Sequence, residues 1–198
     1  MKKVNETDVV FLLDRSGSMG GVESDTIGGY NSYLESQRKN KVKVTTVLFD
    51  DNYEMLYDRV DINSVKKLTN KEYYVRGCTA LLDAIGKTIH YMDSKNAKKV
   101  LFVITTDGLE NASKEYKKET IKKMIESHKN WEFIYIGADI NSFDEGSSIG
   151  IKKENISNYR KDKKGVERLF GSVAKASRMM CEEECLDASW NSDLKEYN

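Results

Sequence analysis

Apolar runs of strand length alternate with segments of helical period along most of this chain. Residues 8–13 (DVVFLL) are nearly all apolar, the pattern of a strand buried on both faces of a parallel sheet. Residues 21–38 carry Ile27, Tyr30 and Leu34 on one helical face. Gly28-Gly29 interrupts that helix at a cost of roughly 1 kcal/mol per glycine, and close packing on the sheet is the expected reason to keep them. Val42–Phe49 is a β-branched strand, Asp50-Asp51-Asn52 signals a turn, and residues 53–57 read as a strand returning antiparallel. Residues 79–92 predict a helix with Leu81, Leu82, Ile85, Ile89 and Met92 on its apolar face. A second buried strand follows at 100–105, a helix at 114–129, and a third core strand at 131–136. A short helix at 142–149, an edge strand at 155–159 and a helix at 166–180 complete the pattern, and 186–198 reads as a loosely held polar tail.

This alternation predicts an α/β fold: a doubly wound, mostly parallel central sheet with one antiparallel edge strand and helices on both faces. Ligands of such folds bind outside the carboxyl ends of the strands. The segments to search are therefore those after Leu13, before the helix at Thr79, and after Thr105.

Composition narrows the class. A chain of 198 residues, 39% apolar, suits one domain, expected over 1–185, with the tail at 186–198. Its 32 basic and 32 acidic residues cancel, which argues against a nucleic-acid binder. No apolar run reaches the length of a membrane span, and the first eight residues lack an apolar leader, so a cytoplasmic protein is expected. Three cysteines, Cys78, Cys181 and Cys185, are an odd number and are expected to be free thiols. Cys181 and Cys185 share helical spacing, but no second pair exists to close a zinc site. His90 and His128 fall within predicted helices without a motif around them, which suits structural roles. The lysine-rich stretch 114–123 is interleaved with Glu115 and Glu119 and reads as a solvated helix face.

The three loops hold the chemistry. Asp14-Arg15-Ser16-Gly17-Ser18, Gly77-Cys78-Thr79 and Thr106-Asp107-Gly108 offer carboxylates and hydroxyls, and no histidine. A hard, all-oxygen donor set with few carboxylates suits Mg2+ or Mn2+ better than zinc. Alternation at Asp14, Ser16 and Ser18 can turn three oxygens toward one point, with Gly17 relieving crowding.

Asp14-Arg15-Ser16-Gly17-Ser18 resembles the DxSxS motif of von Willebrand factor type A (vWA) domains. Gly77-Cys78-Thr79-Ala80-Leu81 resembles that family's threonine loop, and Thr105-Thr106-Asp107-Gly108-Leu109-Glu110-Asn111 resembles its TDG segment. The likeness covers roughly residues 5–180, by the element order above, and is nearest to short stand-alone bacterial vWA proteins. It implies a metal-ion-dependent adhesion site. Ser16, Ser18 and Thr79 would be hydroxyl ligands, and Asp14 and Asp107 would bind the ion directly or through water. Cys78 departs from the glycine often found before the family's threonine, which bears on the freedom of that loop's backbone.

Each residue also has a plainer role. Ser16 and Ser18 suit turns or a helix cap, Thr79 an N-cap, and Asp107 a turn before Gly108. Glu110 and Asn111 stand equally between supporting the site and starting a helix. The leading functional expectation is a non-enzymatic binding module that takes an Asp or Glu of a protein partner into an open position on the ion, at about 2.1 Å. The alternative is a Mg2+-dependent phosphatase or phosphotransferase using Asp14. Against it, the position two residues after Asp14 is Ser16 rather than aspartate, and GxxxxGK[ST] and GxSxG motifs are absent. A structural subunit with a vestigial site is the third reading.

Overall fold

The computed structural model describes residues 6–138, 141–182 and 185–197. The polar residues 1–5, on which part of the no-leader expectation rests, lie outside these. The elements run β1 (Thr7–Asp14), α1 (Glu23–Gln37), β2 (Val42–Phe49), β3 (Tyr53–Asp61), α2 (Leu81–Ser94), β4 (Val100–Thr106), α3 (Lys118–Ser127), β5 (Trp131–Gly137), α4 (Ser142–Ser148), β6 (Ile156–Asn158), α5 (Lys163–Glu182) and α6 (Ser192–Lys195). Short 3-10 turns precede α1 and β6.

Among the described residues the strands form one sheet, ordered β3-β2-β1-β4-β5-β6. Every neighbouring pair is parallel except β2 with β3, so the predicted antiparallel strand sits at the edge. It runs four residues beyond the expected 57, to Asp61. That half is charged, and its own Arg59 ties it to β1 by chelating the buried Asp8 at 2.7 and 3.0 Å.

The central strand β1 is buried on both faces because helices cover both. Val9, Phe11 and Leu13 join a core layer with residues of α1 and α5, while Val10 and Leu12 join the opposite layer with residues of α2 and α3. Alternate residues of one strand thus nucleate two cores. All the parallel strands then deliver their carboxyl ends to the same edge of the molecule, where the three candidate loops lie.

The helices differ from expectation in instructive places. Helix α3 begins at Lys118 rather than 114. Residues 114–116 are instead spent on a tertiary cap: the Asp83 carboxylate of α2 accepts the backbone N–H groups of Lys114, Glu115 and Tyr116, each at 2.9 Å. Cys181 ends up in α5 while Cys185 lies beyond its end, so the two do not share a helix. All three cysteines are free. The segment after 186 is not loose. Trp190 and Leu194 are fully buried in the α1/α5 core layer.

The glycine pair in α1 divides into two cases. Gly29 packs against α5, not the sheet: a Cβ there would stand 2.2 Å from the buried Phe170 ring. Gly28 faces open space. Gly29→Ala should therefore destabilise the fold by about 1–2 kcal/mol, overpacking outweighing the gain in helix propensity. Gly28→Ala should stabilise it by up to about 1 kcal/mol. Urea unfolding of both variants checks this; equal shifts of the same sign would show that α1 and α5 are not in close contact.

Candidate metal centre

Asp14 ends β1, and its carboxylate is fully buried. One oxygen accepts the Ser16 N–H at 2.7 Å and the other the Thr106 hydroxyl at 2.5 Å. Burial pushes the Asp14 carboxyl up to about 6 against these hydrogen bonds, and the nearby charge of Asp107 adds to the rise. The chain after Asp14 bends into a single 3-10 turn, Gly17–Met19, which brings Ser16 Oγ and Ser18 Oγ within 3.0 Å of each other. The Ser18 hydroxyl donates to Asp107 Oδ1 at 2.6 Å.

Gly108 shows how closely the loops converge. A Cβ placed on it would meet Ser18 Oγ at 3.0 Å, Thr79 Oγ1 at 3.0 Å and Ser16 Oγ at 3.9 Å. Three hydroxyls from two separate loops thus surround one spot beside two poorly exposed carboxylates. All five predicted residues, Asp14, Ser16, Ser18, Thr79 and Asp107, are brought together. No group of three or more His, Cys, Asp or Glu side chains suited to a metal occurs among the described residues. The donor set here is hydroxyl-rich and hard, so its chemistry fits a hard divalent ion and not a thiolate or imidazole site.

The supporting contacts decide several roles. Thr79 precedes α2 without capping it: Ala80 occupies the N-cap, and the first N–H groups of the helix go to Glu110 (from Leu82, at 2.9 Å) and to Ser113 Oγ (from Asp83, at 3.0 Å). Its hydroxyl is therefore not committed to the helix. Asn111 holds Thr79 instead: Asn111 Oδ1 accepts the Thr79 N–H at 2.9 Å, and the Asn111 N–H donates to the Thr79 carbonyl at 3.1 Å. Glu110 accepts the N–H groups of Leu82, Ala112 and Ser113 at 2.7–2.9 Å, tying the Asp107 loop to the start of α2. The departure at Cys78 costs the loop nothing. The left-handed residue is Gly77, at φ +66°, and a Cβ there would strike the Asp51 carboxylate at 2.0 Å.

Motif reading missed a brace behind these loops. Arg15 is almost wholly buried and pairs with Asp50 Oδ2 at 2.8 Å and Glu54 at 2.8 Å. Arg76 meets the same Asp50 oxygen at 2.8 Å. Burial pushes the Asp50 carboxyl up, but hydrogen bonds from Arg76, Asn52 and Arg15 outweigh that and lower it. Both guanidinium groups lie over the Tyr74 ring, at 5.6 and 5.5 Å. Asp50 closes the turn after β2, so one buried carboxylate locks the serine loop to the threonine loop. An arginine directly after an apolar core strand, inside the serine motif, was the available signal, because a cation in that place requires a partner. Lys161 was also missed. It lies 2.8 Å from Asp107 Oδ2 and donates to the Ser18 carbonyl. The histidines stay outside the site: His90 is exposed on α2, and His128 bonds Asp93 at 2.8 Å and the Met124 carbonyl.

Residues 8–166 match the sequence profile of the von Willebrand factor type A domain. The chain belongs to the vWA family. Similar solved structures include the PilB minor pilin of Streptococcus sanguinis (TM-score 0.70, 11% identity, covering 91% of this chain and 63% of that one). Proximal thread matrix protein 1 from the mussel byssus, with a zinc-occupied MIDAS motif, gives TM-score 0.64 at 14% identity, covering 88% of this chain and 46% of that one. Manganese-loaded TRAP protein of Plasmodium vivax gives 0.61 at 20% identity, covering 83% and 73%. These likenesses show the fold. This vWA chain spans 42–63% of the length of the first five such structures. Comparison with curated protein sequences finds no match.

Proposed function

We propose that the chain is a non-enzymatic, divalent-cation-dependent protein-binding module. Asp14, Ser16, Ser18, Thr79 and Asp107 would hold one ion, Mg2+ with Mn2+ able to replace it, and an Asp or Glu of a partner protein would complete its shell. The observation that carries this reading is the convergence of three hydroxyls on the space around Gly108, beside two carboxylates. When bound, the ion supplies a position for a hard anionic oxygen.

The chain's own residues set the character of that position. Neutral hydroxyls dominate, so at most two negative charges face a divalent ion, and an incoming carboxylate is not repelled by a surplus. Asn111 fixes Thr79, and the Asp50 brace fixes the two loops, so the donors are held in advance of binding. Leu109, 55% exposed beside Asp107, and Tyr74, 44% exposed beside the Asp50 brace, provide apolar contact for a protein surface. Asp14 is poorly suited to attack a phosphate, since both its oxygens are engaged in a fully buried setting. No histidine is placed to serve as a base, which further supports a binding role. Three free thiols support a reducing, cytoplasmic setting.

Thr79→Ala tests the reading, because it removes one ligand without changing charge. With the chain immobilised and source-cell extract passed over it, retention of the partner in Mg2+ should fall about tenfold in the variant, and excess Mg2+ should restore part of it. Chelator should abolish retention by the wild type. Undiminished retention in chelator and in Thr79→Ala would show that another surface binds.

A further inference from the structure

We propose that Lys161 is a built-in competitor of the metal ion: its ammonium group neutralises Asp107 in the ion-free protein and must leave when a divalent cation binds. The proposal rests on the reading of the site as a metal centre and adds a control element to it. Asp107 has both oxygens engaged, Oδ1 by the Ser18 hydroxyl at 2.6 Å and Oδ2 by Lys161 Nζ at 2.8 Å. Lys161 Nζ also donates to the Ser18 carbonyl. The cation therefore bridges two of the loops that would hold the ion. The Asp107 side chain is only 3% exposed and that of Lys161 only 22%, so this is not a solvated surface pair.

Lys161 belongs to a basic run, Arg160-Lys161-Asp162-Lys163-Lys164, which alone would read as a solvated turn. The contacts separate its members. Arg160 and Lys164 lie over the Tyr197 ring, at 5.0 and 4.9 Å, whereas Lys161 reaches the site. The turn is anchored on both sides of Lys161. Before it, the Tyr159 N–H donates to the Gly137 carbonyl at 2.9 Å, and the buried Tyr159 hydroxyl lies 3.8 Å from Met19 Sδ in the serine loop. After it, Asp162 accepts the Gly165 N–H at 2.7 Å and the Tyr197 hydroxyl at 3.2 Å. The lysine is thus delivered to Asp107 by the fold.

The consequence follows from like charge. An ammonium bound to Asp107 and a divalent ion drawn to the same carboxylate repel each other across a poorly solvated space, where screening is weak. Each therefore lowers the affinity of the site for the other. The domain is held empty at low ion concentration without exposing a bare carboxylate, and loading frees a cation at the rim where an acidic partner arrives.

Calorimetric titration of the full chain with MgCl2, repeated with MnCl2, tests this in wild type, Lys161→Gln, Lys161→Arg and Asp14→Asn. Lys161→Gln keeps a donor for the Ser18 carbonyl but removes the charge, and should tighten the ion's Kd about tenfold, or about 1.4 kcal/mol. Lys161→Arg keeps the charge and should stay within about threefold of wild type. In parallel, reductive methylation read by peptide mass spectrometry should label Lys161 faster in saturating Mg2+ than in chelator. Unchanged or weaker binding by Lys161→Gln, with wild type binding and Asp14→Asn not, would overturn the competitor and leave the metal centre standing. Equal binding by wild type and Asp14→Asn, or no binding by any form, would overturn the metal centre itself and the competitor with it.

Discussion

An Asp14→Asn, Asp107→Asn double variant should fold normally yet lose Mg2+ affinity by more than about 100-fold. The substitutions remove two negative charges and keep the volume of both side chains. The amide that replaces the Asp14 carboxylate retains a carbonyl oxygen for the Ser16 N–H. Its NH2 group can donate to Thr106 Oγ1, whose own hydrogen then turns to the Gly108 carbonyl, a bond already within reach at 3.2 Å. The buried network therefore stays satisfied, and the carboxylate whose charge burial opposes is gone. An ion held by neutral oxygens alone has little reason to leave water, since Mg2+ dehydrates reluctantly. The measurement is thermal unfolding with and without Mg2+, backed by calorimetry. At about 100 times its Kd a bound ion stabilises wild type by about 2.7 kcal/mol, and at the same Mg2+ concentration the variant should gain no more than about 0.4 kcal/mol. Equal Mg2+ stabilisation of both proteins would put the ion elsewhere.

The architecture was legible because burial is written into the strands. β1 and β4 are buried on both faces, and their short, near-continuous apolar runs have the length and pattern of core strands in a parallel sheet. The site was legible for a related reason: a parallel sheet gathers its loops at one edge, so oxygen-bearing residues after β1 and β4 had to come together. What stayed hidden depends on contacts between distant segments. The start of α3 moved because Asp83 claims the N–H groups that would have opened the helix. The far half of β3 lacks an apolar period, and its pairing with β2 is irregular between Val44 and Val47. Nothing in the sequence sets Lys161 apart from its basic neighbours, because only the fold aims it at Asp107. Its place just after an edge strand, at the site end of the sheet, was the one signal available.

The carboxyl-terminal segment makes the second large prediction, Trp190→Ala. Its sequence is polar, and Trp190 and Leu194 are the apolar residues four positions apart on which its docking depends. The indole is fully buried and its N–H donates to the Glu154 carbonyl at 3.0 Å, just before β6. Around it, Lys175 reaches the Ser189 carbonyl at 2.5 Å and Arg168 the Asp193 carbonyl at 2.7 Å, so α5 grips the segment along its length. These exposed bonds contribute little individually, whereas emptying the indole site should cost about 3–5 kcal/mol. For a chain of this size that lowers the unfolding midpoint by roughly 6–20 °C. Urea denaturation gives the free energy directly, and hydrogen exchange should show residues 187–197 losing protection before the sheet does. A variant within about 0.5 kcal/mol of wild type would mean that the segment is an appendage after all. The position matters to the site as well, because Tyr197 follows α6 and steadies Asp162, the residue next to Lys161. Undocking the segment removes one of the two anchors of that turn. The same variant should therefore bind Mg2+ somewhat more tightly than wild type while being the less stable protein.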